Sequence, residues 1–228
     1  MKKISILLTA ISLLLVSPMS AQDANPPADS FEVDPYQKVD AVPLEDSGDL
    51  IRMIEDNEIN ADIKAKSVAR LGQLYADEKD KGESYVEGFI KAMNSVFAKN
   101  YDPVVRRAAC TSMANFRTSK HAELAIDALT NPLVNDADYL VVVACAKALG
   151  TFKSQKSKAT LAILKRLRVE VRKNTTKTDD YATMMAMVES LGKLGDKKAY
   201  IPLMKVLQSR HPSNIKRMAH TAIDMIEW

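Results

Sequence analysis

The stretch Val141 to Phe152, VVVACAKALGTF, recurs along the chain, and this recurrence limits the fold more than any other feature. Its counterparts are IKAKSVARLGQL (63–74), VRRAACTSMANF (105–116), TMMAMVESLGKL (183–194) and IKRMAHTAIDMI (215–226). The ninth positions are Leu71, Met113, Leu149, Leu191 and Ile223, spaced 42, 36, 42 and 32 residues apart. Apolar positions inside each unit recur at three and four, which is the spacing of an amphipathic helix. Small residues hold the middle (Ala108, Ala109, Ala144, Cys145, Ala146, Ala186), so neighbouring helices can approach closely. Position ten is Gly72, Ala114, Gly150, Gly192 or Asp224. A helical Gly costs about 1 kcal/mol against Ala, so its use there implies crowding against a partner helix. A second apolar helix follows each of the first four units: ESYVEGFIKAMNSVF, AELAIDAL, ATLAILKRL and AYIPLMKVL. Neither helix of a pair can hide its apolar face alone, so pairs must stack.

These units resemble HEAT repeats, particularly the phycobilin-lyase-like subclass. The resemblance rests on the AspProValValArg of 102–106, the Ala-rich middles, and the Leu-Gly pairs at 71–72, 149–150 and 191–192. It covers roughly residues 60–228 and implies an all-α solenoid of about five helix pairs over 49–228, serving as a non-catalytic protein-binding scaffold. In such arrays the second helices line the concave side. The Arg of the Val-Arg pair is replaced by Lys64, Val142, Met184 and Lys216 in the other units, so an Arg–Asp ladder is expected only at Arg106. The phycobilin-lyase label describes fold alone and implies no bilin chemistry. Residues 50–59, LIRMIEDNEI, are too short for a full pair and read as a leading cap. In the last helix Lys216, His220, Asp224 and Glu227 share a polar face, as a terminal repeat requires.

The N-terminal region reads as a signal peptide over 1–21, with Lys2 and Lys3 ahead of an apolar run from Ile4 to Val16. That run falls short of the roughly 20 residues a bilayer-spanning helix needs. Cleavage after Ala21 is expected, giving a periplasmic or secreted protein, and no Cys follows the run to support lipidation. Residues 22–50 hold eight acids against Lys38 alone, a charge of −7, whereas 51–228 carry +8. With Pro26, Pro27, Pro35 and Pro43 and few apolar residues, 22–48 is expected to be a disordered acidic arm.

No catalytic constellation stands out. His121, His211 and His220 are not spaced as metal ligands on one helix face, and no Gly-rich phosphate loop is present among seven glycines. The sole tryptophan is Trp228, which with export argues against a nucleic-acid partner. No cofactor or metal is expected. The 11 methionines read as core filling. Cys110 and Cys145 lie on adjacent first helices. Helices roughly 8–10 Å apart usually hold Cα atoms beyond the bridging limit, so buried free thiols are favoured over a disulfide. Small neighbours are the route by which a bond could still form.

The most informative polar feature is the second helix of the third unit. Nine bases and one acid, Glu170, lie between Lys153 and Lys177. Lys158, Lys165, Arg168 and Arg172 form a stripe flanked by Arg166 and Lys173, and these six residues are the candidate partner-binding site. The expected partner is a protein, with an acidic surface. The acidic arm, over 23–46, is a second expected occupant of the stripe. A regulatory subunit of an envelope enzyme and a binder of an anionic envelope polymer are the alternative functions.

Overall fold

Successive first helices lie side by side in chain order, and every second helix lies on the same side of that row. A computed structural model describes residues 34–77, 83–99, 101–173 and 177–228. The first helices are α3 (Ala61–Asp77), α5 (Pro103–Met113), α7 (Tyr139–Leu149), α9 (Thr178–Leu194) and α11 (Ser213–Asp224). The second helices are α4 (Glu83–Ala98), α6 (Ala122–Asn135), α8 (Lys156–Glu170) and α10 (Tyr200–Gln208). Two short helices, α1 (Pro35–Ala41) and α2 (Ser47–Glu55), pack against α3. The described residues therefore form an all-α solenoid of four complete pairs followed by a fifth first helix, with a single core running along it.

The repeated starts of the first helices have a local cause. The Asp102 carboxylate accepts the Val104 amide at 2.8 Å, and Pro103 takes the first helical position, where its missing N–H costs nothing. Asp138 caps α7 in the same way, accepting from Leu140 and Val141 at 2.9 and 3.1 Å.

The crowding implied at position ten is real. A Cβ on Gly72 would lie 2.6 Å from Ser112 Cβ, and one on Gly150 2.8 Å from Ser190 Cβ. On Gly192 it would lie 3.0 Å from both Cα and Cβ of Ala222. All three facing residues occupy position eight of the following unit, so one contact recurs along the row. The approach is close enough for the Ser112 hydroxyl to donate to the Val68 carbonyl at 3.3 Å. Where position ten is Ala114, the small Ala148 lies across the same groove.

This closeness overturns the expectation of free thiols. Cys110 and Cys145 form a disulfide across 35 residues of sequence, with Cα atoms 5.0 Å apart and both side chains fully buried. Typical helix spacing was the wrong measure, because small residues draw α5 and α7 well inside it. Next to it the Arg106 guanidinium of α5 grips the carboxylate of Asp136, in the connection between α6 and α7, at 2.8 and 2.9 Å and also donates to the Tyr101 carbonyl. Both side chains of that pair are less than a tenth exposed. Lys64, which replaces the arginine one repeat earlier, instead lies over the Tyr101 ring at 5.3 Å.

The expected disordered arm needs correction over 35–48. Those residues are helical except at Val42 and Pro43 and are seated on α3, with Val39 fully buried and the Ser47 hydroxyl 3.2 Å from that of Tyr75. Lys66 donates to the Tyr36 carbonyl at 2.6 Å and pairs with Asp40 at 2.7 Å, while Arg70 donates to the Val42 carbonyl at 3.2 Å. A few apolar side chains suffice there because α3 supplies the rest of the core and the cations. The folded body begins near Pro35 rather than at residue 49. Residues 1–33, which include the signal-peptide segment and the remainder of the arm, lie outside the described residues.

At the other end, residues 225–228 fold back over the turn between α9 and α10. Gly195 adopts φ +63°, a conformation that favours glycine, and its carbonyl accepts the Glu227 amide at 3.0 Å. Ile226 is buried, Glu227 pairs with Lys156 at the start of α8, and the Trp228 ring meets Tyr200 edge-on at 5.2 Å. No helix among the described residues is long and apolar enough to cross a membrane.

Replacing Gly150 with Leu should destabilise the protein by about 1–3 kcal/mol or more through overpacking. Asp224→Leu, on the exposed face of α11, should change stability by no more than about 0.5 kcal/mol. Urea unfolding midpoints of the two variants check the contrast, and equal losses would contradict the repeat register. Unfolding the native protein with and without reductant tests the disulfide. Loss of the bond should lower stability by about 2–4 kcal/mol, whereas unchanged midpoints would contradict it.

Candidate protein-docking face

Helix α8 buries Ala159, Ile163 and Leu167 against the core and turns its basic residues outward or sideways. Three of the six expected site residues serve the protein's own structure. Lys158 Nζ lies 2.8 Å from Asp127 and 3.4 Å from Glu123, both on α6. Partial burial opposes its charge, yet these two carboxylates hold its pKa above the usual lysine value. Arg166 Nε donates to Glu170 at 2.7 Å, and its Nη1 donates to the Val134 carbonyl at 2.6 Å. Lys173 Nζ lies 2.8 Å from the other Glu170 oxygen and 3.1 Å from Asp180 on α9. Burial again opposes the Lys173 charge, and Glu170 and Asp180 outweigh it and raise the pKa.

Glu170, the single acid of the basic run, is thus its structural centre. Its side chain is only 1% exposed, and two cations compensate its charge while tying α8 to α6 and α9. The sequence marks it as an exception in a run of bases but says nothing about its burial. A fully solvated cationic stripe is therefore not what folds.

The other three expected residues, Lys165, Arg168 and Arg172, are exposed and have no acidic partner among the described residues. Arg168 and Arg172 border a groove of about 460 Å³ between α8 and α10. Its walls are aliphatic, from Leu161, Leu164, Leu167 and Val171 on α8 to Ile201 and Pro202 on α10. Lys198 and Lys205 complete the rim from the α10 side. Lys198 donates to the Ser157 hydroxyl, and Lys205 has no acidic partner among the described residues. Leu161 and Ile201 stay 45% and 60% exposed, so the groove is open and wettable only at a cost.

Sequence reasoning placed the site on α8 alone and missed the α10 contribution of Lys198, Ile201 and Lys205. A usable signal existed. An Ala followed two residues later by Leu or Ile lies at or near the start of each of the last three second helices, as Ala122–Leu124, Ala159–Leu161 and Ala199–Ile201. The Ala is buried in each case and the larger residue is exposed.

The expectation that residues 23–46 would cover the stripe fails for 35–46, which are anchored on α3, with Asp40 held by Lys66. Residues 23–33 lie outside the described residues. Among the described residues no group of three His, Cys, Asp or Glu side chains is placed to hold a metal ion.

Paired helices stacked in two layers, with their charge and open apolar surface on the second layer, define a repeat solenoid of the kind that binds other proteins. Residues 90–175 match the family model for HEAT repeats, and residues 185–209 match that for PBS lyase HEAT-like repeats. HEAT-type repeats are thus shown over those two stretches, which run from within α4 to α10 apart from the start of α9. None of the curated proteins matches it.

Replacing Glu170 with Ala removes the shared carboxylate, leaving Arg166 only the Val134 carbonyl and Lys173 only Asp180, and should cost about 2–4 kcal/mol. Glu170→Gln should fall between that variant and the native protein, since the amide keeps one acceptor. Thermal unfolding of the pair checks this. A Glu170→Ala protein as stable as the native one would show that the carboxylate organises nothing.

Proposed function

We propose that this protein is an exported, non-catalytic HEAT-repeat scaffold of the bacterial envelope that binds another protein at the α8–α10 face. One observation carries the assignment. An open aliphatic groove is bordered by four cations, Arg168, Arg172, Lys198 and Lys205, none of which has an acidic partner among the described residues. A protein surface with apolar and acidic side chains satisfies both halves of that groove. An anionic polymer would answer the cations but leave Leu161 and Ile201 exposed to water.

Export has two supports. Lys2, Lys3 and the Ile4–Val16 run have the form of a secretory signal. Independently, the Cys110–Cys145 bond belongs to the chemistry of oxidising compartments.

A photo-crosslinking residue at Ile201, in the full chain in its native host, tests the docking face. Thr221, exposed on α11, is the control position. A protein adduct should form at 201 and not at 221, and it should weaken when Arg168 and Arg172 are both changed to Glu. Adducts at neither position, or equally at both, would contradict docking at this face. An intact 1–21 segment on the purified protein, or its recovery from the cytoplasm, would contradict export.

A further inference from the structure

We infer that the groove between α8 and α10 binds a single-chain amphiphile, one acyl chain ending in an anionic head, taken up as an individual molecule. The inference goes beyond the protein reading of the same face and stands without it. Helix α8 packs closely on α6 but meets α10 only sparsely. The opening between them, about 460 Å³, falls within the roughly 300–1,000 Å³ of small-molecule sites. Such sites combine apolar walls with a few placed polar groups. This one has six aliphatic residues and four cations.

What the walls lack narrows the ligand class. The lining holds no aromatic, hydroxyl, amide or carboxylate side chain. A planar aromatic ligand would find no ring to stack on. An extended peptide would find no side chain able both to accept from its N–H groups and to donate to its C=O groups. A saturated chain needs neither, because leaving water is its whole gain. The cations exclude a neutral hydrocarbon. None of Arg168, Arg172, Lys198 and Lys205 has an acidic partner among the described residues, so an anion on the ligand would be their counter-charge.

The order of residues along the groove gives the ligand a direction. Lys198 donates to the Ser157 hydroxyl, so α8 and α10 begin side by side. The most open aliphatic residues come next, Leu161 at 45% and Ile201 at 60% exposed. Arg168 and Arg172 follow on later turns of α8, and Lys205 follows one turn beyond Ile201. From Leu161 to Arg172 a helix advances about 16 Å. The chain therefore lies over Leu161 and Ile201, and its head meets Arg168 and Arg172, which are four residues apart on one face, with Lys205 across the groove. A guanidinium suits a carboxylate or phosphate head because it offers two parallel N–H donors. The amphiphile covers the aliphatic residues that a docked protein would cover, so the two compete for the groove.

Isothermal titration calorimetry of the full native chain tests this with three probes, each below its micelle concentration: dodecanoate, butyrate and dodecyltrimethylammonium. Butyrate keeps the head and loses the chain, and dodecyltrimethylammonium keeps the chain and reverses the charge. Dodecanoate should bind at one site, at least tenfold more tightly than either. Changing Arg168 and Arg172 together to Glu should weaken it at least tenfold, as should Ile201→Asp, and Thr221→Asp should leave it unchanged. Thermal unfolding verifies that each variant is folded, and Gln replaces Glu at 168 and 172 where it is not. Equal binding of dodecanoate and dodecyltrimethylammonium, uptake at many sites, or undiminished binding by the folded variants overturns the inference. Binding to vesicles containing anionic lipid with none to dissolved dodecanoate also overturns it, and makes the face a membrane contact. The protein reading is judged separately, by the Ile201 crosslink in the absence of added amphiphile.

Discussion

At Gly72, Gly150 and Gly192 the first helix of one pair presses so close to the next that a methyl group would collide with it. The loss of helix propensity at Gly72 and Gly192, about 1 kcal/mol each, is offset by the packing this approach allows, and Gly150 makes the same approach from the end of α7. From it follows the Ser112 hydroxyl bonded to the preceding helix. At the step from α5 to α7, where position ten is Ala114, the Cys110–Cys145 bridge joins the two helices, and Arg106 ties α5 to Asp136 in the connection leading into α7. The first-helix layer is thereby held by close packing, by a disulfide and by an ion pair at its edge.

That division of labour shapes the second layer. Its helices meet less extensively, and between α8 and α10 they leave a groove open. Charges there divide by the same logic. Those beside a carboxylate of the protein, Lys158, Arg166 and Lys173, are spent on holding helices together. Those beyond reach of one, Lys165, Arg168, Arg172 and Lys205, remain available to another molecule. A buried acid, Glu170, separates the two sets, because its desolvation is tolerable only with two cations on it.

Much of this was legible in the sequence, since repetition makes a fold readable: a pattern seen five times specifies helix pairs, core faces and close contacts together. The glycines disclosed crowding because they break a local preference five-residue windows cannot explain. Three properties were not legible. The Cys pair was misjudged because average helix spacing, rather than the small residues beside it, set the expectation. Residues 35–48 were read as an arm because composition counts apolar residues without knowing that α3 offers Val39 and Asp40 a ready surface. The α10 half of the groove was missed for a related reason. Which lysines stand alone depends on where distant carboxylates fall, and single-helix patterning cannot locate them.

The central physical claim is that the first-helix layer is the rigid element and the second-helix layer is what it displays. Native-state hydrogen exchange tests this most directly. Amides of α5, α7 and α9 should exchange only through global unfolding, and α10 should open through smaller, local fluctuations. Exchange in α7 as fast as in α10 would contradict the account, because the helix carrying both the disulfide and Gly150 would then not be the one that holds the array.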